Sequence, residues 1–102
     1  MITVNYKSDG ITHTVEMKGH ACYSDKGDDI VCAAVSGILY ALLGWLENNP
    51  EDVNAIDMDI KSGNAYVFCS GGERTSAAFQ MAIIGWEQIA NEYPDHVVIN
   101  QG

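Results

Sequence analysis

The chain has 102 residues, 47% of them hydrophobic, which suits a single domain with one packed core spanning 1–102. Fourteen Asp and Glu against five Lys and Arg give a net charge of −9, which argues against gripping a phosphate backbone, so no direct nucleic-acid partner is expected. With no run of about 18 consecutive apolar residues, no signal-peptide start and three Cys, the reading is a reduced, cytoplasmic protein with no membrane partner.

Ile2, Val4 and Tyr6 alternate with polar residues, as in a half-buried strand. Lys7–Gly10 reads as a turn, with Asp9-Gly10 its strongest signal. Alternation resumes at Ile11, His13, Val15 and Met17, predicting a second strand over 11–18 and hence a hairpin. His13 falls on the face of Ile11 and Val15, where a partly covered histidine at the edge of the core is expected, with no catalytic role. Residues 19–28, rich in Gly, Ser and Asp, read as a loop.

A helix is predicted over 29–47, with Asp28 or Asp29 as its cap. It is apolar nearly all round, which predicts burial on most sides. Its small residues Ala33, Ala34, Gly37, Ala41 and Gly44 predict close packing by another element. Asn48-Asn49-Pro50 ends it. Val53 to Lys61 alternates through Ile56, Met58 and Ile60. Ser62-Gly63-Asn64 is a turn, and Ala65–Ser70 the partner strand. Gly71-Gly72 breaks the chain before a second helix over 73–92, with Ala78, Met81, Ala82, Gly85, Trp86 and Ile89 towards the interior. His96–Asn100 makes a last strand. The order ββαββαβ predicts an α+β two-layer sandwich, two helices on one mainly antiparallel sheet. The two ββα halves hint at a pseudo-repeat.

Cys32 is the residue with the most chemical content. A free Cys is usually a buried structural residue. This one falls in the first turn of a helix, where free N–H groups and the macrodipole favour a thiolate. Ser36 and Tyr40 follow at i+4 and i+8, forming a stripe more polar than the rest of the helix. That stripe suits the floor of a site. His20 directly follows the second strand and is a candidate general base for the thiol. Asp29 has two readings, helix cap and orienter of an imidazole, of which the cap is favoured.

Other chemistries are weaker. Cys22, His20 and Cys32 lack the CxxC spacing of a zinc site, and Gly71-Gly72 lacks the Lys-Ser/Thr of a phosphate loop. No metal or cofactor is expected. A thiol-redox protein pairing Cys22 or Cys69 with Cys32, and a non-catalytic ribosome-assembly binder, remain as alternatives.

The turn Gly19-His20-Ala21 and the helix start Asp29-Ile30-Val31-Cys32-Ala33-Ala34-Val35-Ser36 resemble the bacterial ribosomal-processing cysteine protease family. The resemblance extends over essentially the whole chain, including a Ser70-Gly71-Gly72-Glu73-Arg74 turn into the second helix. It implies Cys32 as nucleophile and His20 as general base and acid, with Gly19, Asp29 and Ser36 as supporting motif residues. It implies a homodimer. It also implies removal of an N-terminal extension, apolar and ending in aromatics, from a basic large-subunit ribosomal protein. Backbone N–H groups at the helix start are expected to hold the oxyanion.

Overall fold

A computed structural model describes residues 1–19 and 29–102. The elements run β1 (Ile2–Ser8), β2 (Thr12–Lys18), α1 (Ile30–Asn48), a 3₁₀ turn (Pro50–Asp52), β3 (Val53–Lys61), β4 (Asn64–Gly71), α2 (Glu73–Glu92) and β5 (Val97–Gln101). The strands form one sheet in the order β3-β4-β2-β1-β5. All pairings are antiparallel except β1 with β5, which is parallel. The ββαββαβ order and the two-helix, one-sheet architecture agree with the sequence reading.

The β1–β2 turn is built by its own side chain. Asp9 Oδ1 accepts from Ile11 N at 2.9 Å and Thr12 N at 2.7 Å, and Gly10 takes φ +94°. These bonds hold the Asp9 carboxyl below its usual pKa. The inner faces of β1, β2 and β4 supply Val4, Val15 and Val67, each essentially inaccessible to solvent. α2 adds Phe79 and Trp86, and the Trp86 indole N–H donates to Val35 O at 3.1 Å, tying α2 to α1.

Three expectations are corrected. α1 is not buried on most sides: Val31, Val35, Leu39, Leu42 and Leu46 form one buried stripe, while Ala33, Ala34, Gly37 and Ala41 face outward. α1 is long and apolar enough to cross a membrane by length and composition, but in this fold Val31, Val35, Leu39, Leu42 and Leu46 enter the core, while Ile30 and Tyr40 are exposed. Among the described residues, a Cβ at Gly37 or Gly44 would meet nothing within 4 Å, so no described element packs closely at these two glycines. The close approach lies instead on α2, where a Cβ at Gly85 would stand 2.9 Å from Ile38 Cδ1. Met81, expected inside, is 73% exposed. Ile56, Met58 and Ile60 are exposed as well. Their partners Cys69, Val67 and Ala65 are buried, so the apolar row is on the inner face of the sheet, at the edge strand.

His13 departs further from its reading, at 1% exposed. Its Nδ1 lies 3.0 Å from both the Tyr6 hydroxyl and the Ser8 hydroxyl, and its ring stacks on Phe79 at 4.6 Å. Nε2 is buried and has no hydrogen-bond partner among the described residues. Burial pulls the imidazole below its usual pKa, against a smaller opposing pull from the Asp9 charge. Below about pH 6.5 the unfolded chain therefore takes up a proton that the folded one resists, so this contribution to stability is lost as pH falls. Urea unfolding is expected to show a lower midpoint at pH 5 than at pH 7, with a smaller drop in His13→Phe.

The N-terminus of α2 is capped from outside the helix. Gly72, its cap residue, has no side chain. The Asp52 carboxylate accepts from Thr75 N at 2.7 Å and from Thr75 Oγ1 at 2.8 Å, which holds its pKa down. Arg74 reaches Glu51 at 3.1 Å and Asn49 Oδ1 at 2.6 Å, with its guanidinium 5.7 Å from the Trp45 ring centre. The 3₁₀ turn is thereby fixed to α2, and the start of β3 with it.

Candidate active-site cleft

α1 begins where Asp29 places it. Asp29 is extended, and its Oδ1 accepts from Val31 N and Cys32 N, each at 2.9 Å. This is the capping arrangement. It engages the amides of Val31 and Cys32, two of the backbone N–H groups at the helix start. Asp29→Ala is expected to lower the unfolding free energy by about 1 kcal/mol, with most of it recovered in Asp29→Asn, as measured by urea titration.

The cap holds Cys32 on the wall of a cleft of about 780 Å³ between α1 and the β3–β4 hairpin. Cys32, Ser36 and Tyr40 line its α1 side, as their spacing implies. Cys32 and Ser36 are half-buried and Tyr40 is 66% exposed. The hairpin contributes residues 60–65 on the other side, and Ile2, Met17, Val35 and Leu39 add apolar lining. The cleft is therefore apolar with a few polar groups beside a thiol, a composition suited to an extended apolar peptide.

Gly19 and Asp29, the two residues flanking 20–28, both line this cleft. Gly19 has φ +94°, and a Cβ there would collide with the carbonyl oxygen of Met1. Its N–H donates to Gly63 O at 2.9 Å. His20, Cys22 and Asp28 lie outside the described residues, so the cleft geometry here is that of Cys32, Gly19, Asp29 and Ser36. Cys69 is far from any such role. It is fully buried on β4, where burial, then the Asp52 charge, pushes its thiol pKa up.

Sequence reasoning missed the hairpin side of the cleft. Ser62-Gly63-Asn64 read only as a turn, and nothing in its local spacing reveals that β4 pairs with β2 and so carries this turn to the end of β2. The apolar row of Ile56, Met58 and Ile60 was visible, but its exposure depends on β3 being an edge strand.

Comparison with known proteins places these features in a family context. Residues 1–98 match the family model described as Cysteine protease Prp. The ribosomal processing cysteine protease Prp of Mycoplasma genitalium is 36% identical over 84 residues, 82% of this chain and 83% of that protein. Its Staphylococcus aureus counterpart is 28% identical over 105 residues, 97% of this chain and 93% of that one. The fold matches the crystal structure of an essential ribosomal processing protease Prp from S. aureus in complex with a covalently linked product peptide. The TM-score is 0.85 at 23% identity, over the whole of both chains. A Streptococcus mutans structure gives a TM-score of 0.74 at 29% identity, covering 99% of this chain and 93% of that one.

Proposed function

This chain belongs to the Prp cysteine protease family, and from that premise we propose that it removes an N-terminal extension from a large-subunit ribosomal protein. The observation that carries this reading is the cleft itself. A half-buried thiol at the start of α1 borders an apolar groove open enough for an extended peptide. Relatives described as ribosomal processing proteases supply the substrate class.

In this mechanism His20 takes the Cys32 proton, and the thiolate attacks the scissile carbonyl. The tetrahedral intermediate collapses, the C–N bond breaks, and His20 returns the proton to the leaving amine of the shortened ribosomal protein. The extension stays on Cys32 as a thioester. Water, deprotonated by His20, then attacks this carbonyl and releases the extension as a carboxylate with the thiol restored. Asp29 caps the helix that presents the thiol, Gly19 allows the sharp exit from β2, and Ser36 stands one turn along the same cleft wall. The apolar lining favours an apolar extension, and the net charge of −9 attracts a basic substrate.

The homodimer implied by the sequence resemblance belongs to the same proposal. Met81 and Ile84 on α2 are large and exposed, as an interface between copies requires. The site of action is the cytoplasm, where the ribosome is assembled. N-terminal sequencing of an extended large-subunit ribosomal protein after incubation tests the reading. A new N-terminus at the end of the extension supports it, and an intact substrate contradicts it.

A further inference from the structure

We propose that the turn between β3 and β4 is a positioning element of the cleft, acting through the Gly63 carbonyl on the backbone of Gly19. The inference rests on the reading of Cys32 and His20 as the catalytic pair.

The β2 ladders end at Lys18, which pairs with Thr3 on one side and Asn64 on the other. Gly19 is the first residue beyond both. The bond from its N–H to Gly63 O, at 2.9 Å, and its tight approach to the Met1 carbonyl hold it there. The backbone at Gly19, the last described residue before His20 in the sequence, is therefore held by a residue 44 positions away, on another hairpin. The direction of the Gly63 carbonyl is in turn set by its own backbone, at φ +73°, in the left-handed region. Gly19, Gly63, Asp29 and Cys32 all line the same cleft. Gly19 is thus held by the turn, and Asp29 holds the start of α1.

The chemistry makes this bond consequential. Proton transfer needs the imidazole and the thiol within hydrogen-bond reach, and an error of about 1 Å in such placement costs about 100-fold in rate. A displaced Gly63 carbonyl leaves the apolar groove in place but releases Gly19. The cost of releasing Gly19 then falls on kcat.

The test compares Gly63→Val, whose branched side chain disfavours the left-handed region, with Gly63→Asn, which tolerates it. Turnover of an extended ribosomal protein is measured, together with the rate at which Cys32 is alkylated by iodoacetamide, read by peptide mapping. Gly63→Val is expected to lower kcat roughly 10- to 100-fold, more than its added side chain on the cleft wall changes KM, and Gly63→Asn to keep kcat within about threefold of wild type. Alkylation of Cys32 at neutral pH is expected to slow in Gly63→Val and in His20→Ala, and to slow no further when the two are combined.

Wild-type kcat in Gly63→Val with an inactive His20→Ala would overturn the inference while leaving the catalytic pair intact. Additive losses of alkylation rate in the double variant would overturn it as well. Wild-type turnover in His20→Ala would remove the catalytic pair, and the inference with it. If Gly63→Val does not fold, Gly63→Ala is read in its place, with the same signs expected and a smaller loss.

Discussion

Replacing Cys32 with alanine is expected to lower turnover of an extended ribosomal protein by at least about 10⁴-fold, while the fold and the melting temperature stay close to wild type. The size of the loss follows from the mechanism: the thiol is the atom that bonds to the substrate, and removing a nucleophile of this kind costs about 10⁴- to 10⁶-fold in comparable enzymes. The insensitivity of the fold follows from position. Cys32 is half-buried at the rim of the core, whereas the residues on either side of it on the buried stripe, Val31 and Val35, are at 0% and 1% exposure. Cys32→Ser separates the nucleophile from its volume. The hydroxyl fits, yet its much higher pKa leaves His20 to remove a far less acidic proton, so a loss of the same order is expected. The measurement is single-turnover cleavage followed by electrophoresis, beside a thermal melt of each variant.

The largest expected effect on stability is at Trp86. Trp86→Ala should lower the unfolding free energy by about 3–5 kcal/mol, a large part of the total of about 5–15 kcal/mol usual for a domain of this size. The ring is fully buried and its indole N–H donates to Val35 O, so the substitution leaves a cavity and removes the bond that joins the two helices. Trp86→Phe keeps most of the buried ring and loses the donor, at an expected cost nearer 1–2 kcal/mol. Because Val35 precedes Ser36 on the cleft wall, Trp86→Ala should also weaken substrate binding at temperatures where the variant is still folded. Urea unfolding followed by tryptophan fluorescence of the remaining Trp45 gives the first quantity, and KM gives the second.

The elements were legible in the sequence because their signals are local. Alternation in β1 and β2, the Asp9-Gly10 turn and the acidic cap before α1 each depend on neighbours within a few residues. The Cys32, Ser36 and Tyr40 stripe was legible for the same reason, since helix geometry alone puts these residues on one side. What failed was tertiary. Hydrophobic pattern says that a side chain can be buried, and the sheet order decides whether it is. Ile56, Met58 and Ile60 carry the pattern of an inner face but belong to the edge strand. Met81 was assigned inward and Phe79 was not named, although Phe79 is fully buried and Met81 lies open. His13 was placed at the edge of the core because a histidine is usually half-wet. Its real setting depends on the Tyr6 and Ser8 hydroxyls across the hairpin and Phe79 from α2.

The cleft divides in the same way. Its α1 side follows from helix spacing and an N-cap, both short-range. The hairpin side depends on β4 pairing with β2, which brings Gly63 to Gly19 across 44 positions. Asp29 caps α1, which begins at Ile30, and in doing so engages two of the first-turn amides, those of Val31 and Cys32. Capping rules predicted that Asp29 caps the helix, and the structure shows which amides it engages.

The covalent intermediate offers the most direct measurement. The chain is mixed with an extended large-subunit ribosomal protein, quenched in acid within the first turnover, and weighed intact by mass spectrometry. The predicted result is a species heavier than the enzyme by the mass of the N-terminal extension less one water, mapped to the peptide containing Cys32 and absent in Cys32→Ala. A shortened ribosomal protein formed equally well by Cys32→Ala, or no shortening by a folded chain whose Cys32 is reduced, would contradict it.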